Sequence, residues 1–109
     1  MDSRETSQLV LDWHDRQVVV PEAGEISLGK AVQADLTVPG EFTSRQHAHI
    51  ERHKQYYVLV DHSTNGTFVQ TEDERVTFVR RGEFRLWGNG WIALGEPLDP
   101  ETAVRFRHT

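Results

Sequence analysis

Cysteine is absent from the 109 residues, which excludes disulfides, thiolate nucleophiles and thiolate zinc sites together. The amino terminus has no basic-then-apolar leader pattern, so the expected setting is cytoplasmic. Long apolar runs are missing as well; no stretch approaches bilayer-spanning length, and no membrane insertion is expected. Positive charge is in deficit. A formal net charge of −5 argues against a general affinity for nucleic acid or anionic lipid and confines any anion site to a local grouping of donors. Helical periodicity is the last absence, for no segment of useful length carries an apolar stripe at three- and four-residue spacing. The length allows one domain with a single core and leaves little room for an elaborate active site.

What is present is a series of short strand patterns. Leu9, Leu11 and Trp13 alternate with Val10 and Asp12, the period of two that a half-buried strand requires. Asp15-Arg16 breaks it, and further strand patterns run at Gln17 to Val20, Glu25 to Leu28, Asp35 to Val38, Ala48 to Arg52, Tyr56 to Asp61 and Thr67 to Val69. Later ones cover Arg75 to Val79, Phe84 to Leu86, Trp91 to Leu94 and Val104 to Arg107. Pro21, Gly24, Pro39-Gly40 and other turn residues punctuate them, so an all-β antiparallel sandwich or barrel is expected. Only Pro100 to Ala103 suggests a helical turn. Residues Met1 to Ser7 are polar and read as a flexible tail or linker end before one domain spanning 8–109. The expected core comprises Trp13, Ile26, Leu28, Ile50, Tyr57, Leu59, Phe68, Phe78, Trp91, Ile92 and Leu94, with Trp87 the doubtful aromatic.

The segment "DHSTNGTFV", Asp61 to Val69, contains Asn65-Gly66, the usual signal for a tight primed hairpin turn. A turn alone does not call for the hydroxyls of Ser63 and Thr64 before it. Two other loops carry similar chemistry: Gly29-Lys30 after the third strand, and Ser44-Arg45-Gln46-His47 before the fifth. In this order, with Asp35-Leu36, Ala48, Asp61, Phe68-Val69 and Leu94-Gly95, the motifs resemble those of the forkhead-associated (FHA) domain over roughly residues 9–107. The resemblance implies an eleven-stranded antiparallel β-sandwich of the FHA/SMAD-like type, with loops at one end that bind phosphothreonine peptides.

By that resemblance Ser44 donates its hydroxyl to the phosphate, Thr64 donates by hydroxyl or amide, Asn65 holds the peptide main chain, and Arg45 contacts peptide or phosphate. Gly29, His47 and Gly66 support the loops. The chemistry suits the ligand, since a phosphothreonine brings about −1.5 to −2 charges and three acceptor oxygens. Lys30 departs from the family's arginine; an ammonium is a compact point charge without the bidentate fork of a guanidinium. The flanking residues of a peptide would meet the loops Val32 to Ala34 and Gln70 to Glu74. The stretch "VRRGEFRLWGNGWIALGEP" is also similar to FHA modules attached to bacterial nucleotide cyclases, which implies a regulatory domain acting on a phosphorylated segment in cis or in trans, including a Ser/Thr kinase target.

Competing chemistries are poorly served. No Gly-x-Ser-x-Gly elbow or orienting acid accompanies Ser44, so no catalysis is expected. His47 and His49 would share a strand face, while His53 falls beyond the next turn and no carboxylate completes a set, so neither metal nor cofactor is expected. His62 reads as an exposed loop residue. Asn65-Gly66-Thr67 is a chance glycosylation sequon without a signal peptide. Gly88-Asn89-Gly90 reads as a hairpin turn, and Arg75, Arg80, Arg81 and Arg85, interleaved with Glu, as a solvated mixed face. The alternative to phosphopeptide binding is phosphate-independent docking or oligomerisation through a sandwich face or edge strand.

Overall fold

A computed structural model describes residues 8–109; the expected tail, Met1 to Ser7, lies outside the described residues. The chain forms eleven strands: β1 Leu9–Trp13, β2 Arg16–Val19, β3 Glu25–Gly29, β4 Leu36–Thr37, β5 Ala48–His53, β6 Tyr56–Asp61, β7 Thr67–Gln70, β8 Val76–Val79, β9 Glu83–Leu86, β10 Gly90–Leu94 and β11 Val104–His108. They build a six-stranded sheet in the order β2-β1-β11-β10-β7-β8 and a five-stranded sheet in the order β4-β3-β5-β6-β9. Strand boundaries lie within a residue or two of those expected from alternation. The residues of Pro100 to Ala103 make only a turn, closed by the amides of Thr102 and Ala103 on the Asp99 carbonyl.

Three sequence expectations need correction. The sandwich is not wholly antiparallel, because β3 and β4 pair in parallel, Leu28 beside Leu36. The Asn65-Gly66 segment does not close a hairpin: β6 belongs to the five-stranded sheet and β7 to the six-stranded one, so the chain crosses between sheets there. Of its two residues only Gly66 has a positive φ, 87°, whereas a primed turn needs it at both. Gly88-Asn89-Gly90 likewise links β9 to β10 across the two sheets.

Alternation decides the core. Leu9, Leu11, Val69, Ile92, Val104 and Phe106 of one sheet, each with 0% exposure, face Leu28, Leu36, Ile50 and Leu59 of the other. Burying such side chains contributes about 1.5–3 kcal/mol each before entropy is counted. The large aromatics were partly misplaced by the sequence pattern. Phe68 precedes the fully buried Val69, so the pleat turns it outward, where it sits opposite Phe78 with ring centroids 4.9 Å apart. Phe78 is 52% exposed. Trp91 is turned out by the inward Ile92, and Trp13 packs at the core margin, donating its indole N–H to the Thr102 carbonyl. Trp87 is 42% exposed.

Strand register also gathers the loops. β3 ends, β5 begins and β6 ends at one level, fixed by the pairs Leu28–Ala48 and Ala48–Asp61. β7 begins, β8 ends and β10 ends at one level in the facing sheet, fixed by Thr67–Val79 and Leu94–Thr67. The β3–β4, β4–β5, β6–β7 and β8–β9 connections therefore share one end of the sandwich.

Candidate functional site

That end is closed by a buried polar network rather than by apolar side chains. Asp61, inward-facing like Tyr57 and Leu59, is 2% exposed. One of its carboxylate oxygens accepts the amides of Ser63 at 2.9 Å and Arg81 at 3.0 Å, and the other accepts the hydroxyl of Thr67, from the opposite sheet, at 2.6 Å. The Ser63 hydroxyl also donates to this carboxylate and accepts the Gly66 amide at 2.7 Å. Burial opposes ionisation, but the donors from Arg81, Thr67 and Ser63 outweigh it and hold the carboxyl below its ordinary range. Ser63 thus serves the interior, shaping the β6–β7 loop from below.

His47 is the second buried strut, with 0% exposure. Its Nδ1 accepts the Ser44 amide at 3.0 Å, which places the ring proton on Nε2, donated to the Gly66 carbonyl at 2.8 Å. One imidazole therefore ties the β4–β5 loop to the β6–β7 loop. Desolvation lowers its pKa, outweighing the Gly66 hydrogen bond and the nearby Asp61 charge, both of which raise it. Gly29 permits the same close approach from a third loop. A Cβ there would collide with the Arg45 carbonyl, and around it the Lys30 amide donates to the Ser44 carbonyl at 3.0 Å and the Ala31 amide to the Arg45 carbonyl at 3.2 Å.

Above these struts the expected ligand-contacting residues come together. Ser44 is the junction: its carbonyl meets Lys30, and its hydroxyl oxygen lies 3.4 Å from the Thr64 amide. Lys30, Arg45, Thr64 and Asn65 are exposed and Ser44 is half-buried. Asn65 donates its side-chain amide to the Phe42 carbonyl at 3.0 Å, leaving its other polar atom directed away from that bond. The arrangement gathers hydroxyl and amide groups from three loops fixed to the sandwich, loops that also carry the exposed Lys30 and Arg45. It has no nucleophile–base pair, since the His47 ring nitrogens are both engaged by the backbone and neither faces a serine hydroxyl.

Arg80 and Arg81 are exposed, as a solvated face requires, but both also bind the β6–β7 loop. Arg80 donates its Nε–H to the Thr64 carbonyl at 2.8 Å, and Arg81 donates its own to the Ser63 carbonyl at 3.1 Å. The β8–β9 turn thus grips the β6–β7 loop and brings two guanidinium groups to the loop end. The only sequence signal was their position just after a strand, which does not say which loop they face. The histidine expectation also changes. His47 lies before β5 and is buried, while His49 and His53 fall on the outer face of β5 with Glu51 between them and Glu25 opposite.

The family model of the FHA domain matches residues 26–83, which spans β3 through the start of β9 and every loop just described. The chain belongs to the forkhead-associated family. Solved FHA structures superpose over nearly its whole length. The Mycobacterium tuberculosis Rv1747 FHA-1 domain has a TM-score of 0.74 at 17% identity, covering 94% of this chain and 96% of that one. The FhaA FHA domain, solved in complex with the intracellular domain of Rv3910, has a TM-score of 0.70 at 26% identity over 91% of this chain and 99% of its own. A third FHA domain, solved in work on phosphothreonine-dependent FHA interactions, has a TM-score of 0.68 at 25% identity, with 92% and 95% coverage. No curated protein matches the chain significantly.

Proposed function

We propose that this FHA domain is a non-catalytic signalling module that binds phosphothreonine-containing protein segments, and that Lys30, Ser44, Arg45, Thr64 and Asn65 form its phosphopeptide site. One observation carries the reading. Three loops distant in sequence meet at Ser44, whose backbone carbonyl accepts the Lys30 amide and whose hydroxyl oxygen accepts the Thr64 amide, at one end of the sandwich. A phosphate needs such convergent donors beside positive charge. Ser44 and Thr64 supply the donors and Lys30 the charge. Asn65 reads the peptide main chain, while Gly29, His47 and Gly66 hold the loops in register. One related FHA domain was solved in complex with the intracellular domain of Rv3910 and another in an analysis of phosphothreonine-dependent FHA domain interactions, which supports the same ligand class here.

The finer assignments rest on the sequence. The domain is taken as 8–109, its setting as cytoplasmic, and its parent as a bacterial signalling protein of the nucleotide-cyclase kind. Among the described residues no helix is long and apolar enough to cross a membrane. A second reading, phosphate-independent docking, draws on β8, an edge strand among the described residues, where Val76 is 49% and Phe78 52% exposed. Anisotropy titration with a phosphothreonine peptide library and its unphosphorylated counterpart separates the two. Phosphate-dependent binding that weakens with salt and is lost in Ser44→Ala supports the first reading; salt-insensitive binding retained by Ser44→Ala overturns it.

A further inference from the structure

The outer face of the five-stranded sheet holds an arrangement that phosphopeptide recognition does not use. Glu25 of β3 and Glu51 of β5 stand directly opposite each other across the strand pair. Two like charges in that position are destabilising unless a cation lies between them. Between them is His49, whose Nε2 is 3.1 Å from a carboxylate oxygen of each. We propose that this is a divalent transition-metal site, with zinc as its occupant, formed by His49 Nε2, Glu25 and Glu51.

The geometry suits such an ion. Ligands at about 2.0–2.2 Å around a tetrahedral zinc stand roughly 3.3–3.6 Å from one another. The three donor atoms here lie within 4.8 Å of one another, and two of the three separations are 3.1 Å, so a small adjustment seats the metal. The surroundings orient the ligands as outer partners do in metal sites. His62 lies edge to edge with His49, with ring centroids 4.8 Å apart and its Nε2 2.6 Å from His49 Nδ1. Because a carboxylate only accepts, Nε2–H donates to Glu51 here, and a metal would require the other tautomer, with the proton on Nδ1 directed at His62 and the Nε2 lone pair free. His53 Nε2 binds the other oxygen of Glu51 at 2.7 Å, fixing that carboxylate. One imidazole, two carboxylates and an open fourth position form a borderline-hard set, better matched to zinc than to magnesium, which demands octahedral oxygen. The site opens on a cavity of about 1040 Å³ that Arg45, Gln46 and His62 also line. An ion there would tie β3 to β5 and, through His62, to the loop bearing Thr64 and Asn65.

Calorimetric titration of the full chain with zinc in phosphate-free, chelator-free buffer tests this, with cobalt(II) absorption reporting coordination. The expected result is one ion per chain, visible cobalt d–d bands, and affinity at least tenfold weaker in His49→Ala and, separately, in Glu25→Gln. His14→Ala should leave uptake unchanged. Glu25 has a side chain 56% exposed, so its variant should keep the wild-type circular dichroism and distinguish ligand loss from unfolding. Absence of uptake at millimolar zinc would overturn the proposal. So would uptake that both variants retain at wild-type affinity.

Discussion

Asp61→Asn is the perturbation that best isolates the buried network beneath the candidate site. Asparagine keeps the shape but removes the charge and turns one acceptor into a donor. The retained oxygen would stay with the two backbone amides, of Ser63 and Arg81, because those donors cannot rotate away. Hydrogen bonds to a charged group contribute about 1.5–3 kcal/mol and neutral ones about 0.5–1.5, so each of these two weakens by roughly 1 kcal/mol. The new NH2 faces the hydroxyls of Thr67 and Ser63, and the Ser63 oxygen already accepts the Gly66 amide. One poorly satisfied buried donor adds about 1 kcal/mol more. The total is roughly 3 kcal/mol, which at an m-value of about 1.5 kcal/mol/M lowers the urea midpoint by about 2 M. Tryptophan fluorescence at pH 7 reads it. Because the Asp61 carboxyl is held below its ordinary value of 3.8 in the folded chain, its contribution is complete above that value. It is lost as pH falls through the folded pKa, so the gap between wild type and variant should narrow in strong acid. Midpoints within about 0.3 M at pH 7, or a gap independent of pH, would refute the account.

Three further outcomes are expected. Between pH 7.5 and 5 the urea midpoint of the wild type should fall relative to His47→Gln, because the buried His47 resists protonation below its ordinary 6.5 while the unfolded chain takes up the proton; parallel profiles would contradict it. Gly29→Ala forces a Cβ into the Arg45 carbonyl, and backbone cannot yield as a side chain can. A loss of about 2–3 kcal/mol in chemical denaturation, with weakened phosphopeptide binding, is the expected result. Lys30→Arg restores a bidentate donor and should tighten phosphothreonine-peptide binding by up to about tenfold in a direct titration, and unchanged or weaker binding would count against the Lys30 assignment.

Much of this protein was legible in the chain itself, because alternation is a local property. Short apolar runs such as Leu9-Val10-Leu11 or Trp91-Ile92-Ala93-Leu94, bounded by turn residues, read as strands, and Pro39-Gly40 and Gly24 fall between strands. The motifs of the β3–β4, β4–β5 and β6–β7 loops were legible for a similar reason: each is a short run whose residue types are tied to a backbone shape or a donor set.

Pairing partners and face orientation were not local. Whether Asn65-Gly66 closes a hairpin or crosses between sheets depends on which strands β6 and β7 find, and these lie in different sheets. Phe68 and Phe78 look like core by hydrophobicity, yet Val69 claims the inward position and the pleat expels its neighbour. Arg80 and Arg81 show no purpose until the β8–β9 turn is folded against Thr64 and Ser63, and Glu25 has no relation to His49 until β3 pairs with β5. The sequence by itself determined the strands and the chemistry of the loops. Only the tertiary structure decided which of those groups meet, because contact between residues tens of positions apart is set by strand register and sheet closure, which no local pattern encodes.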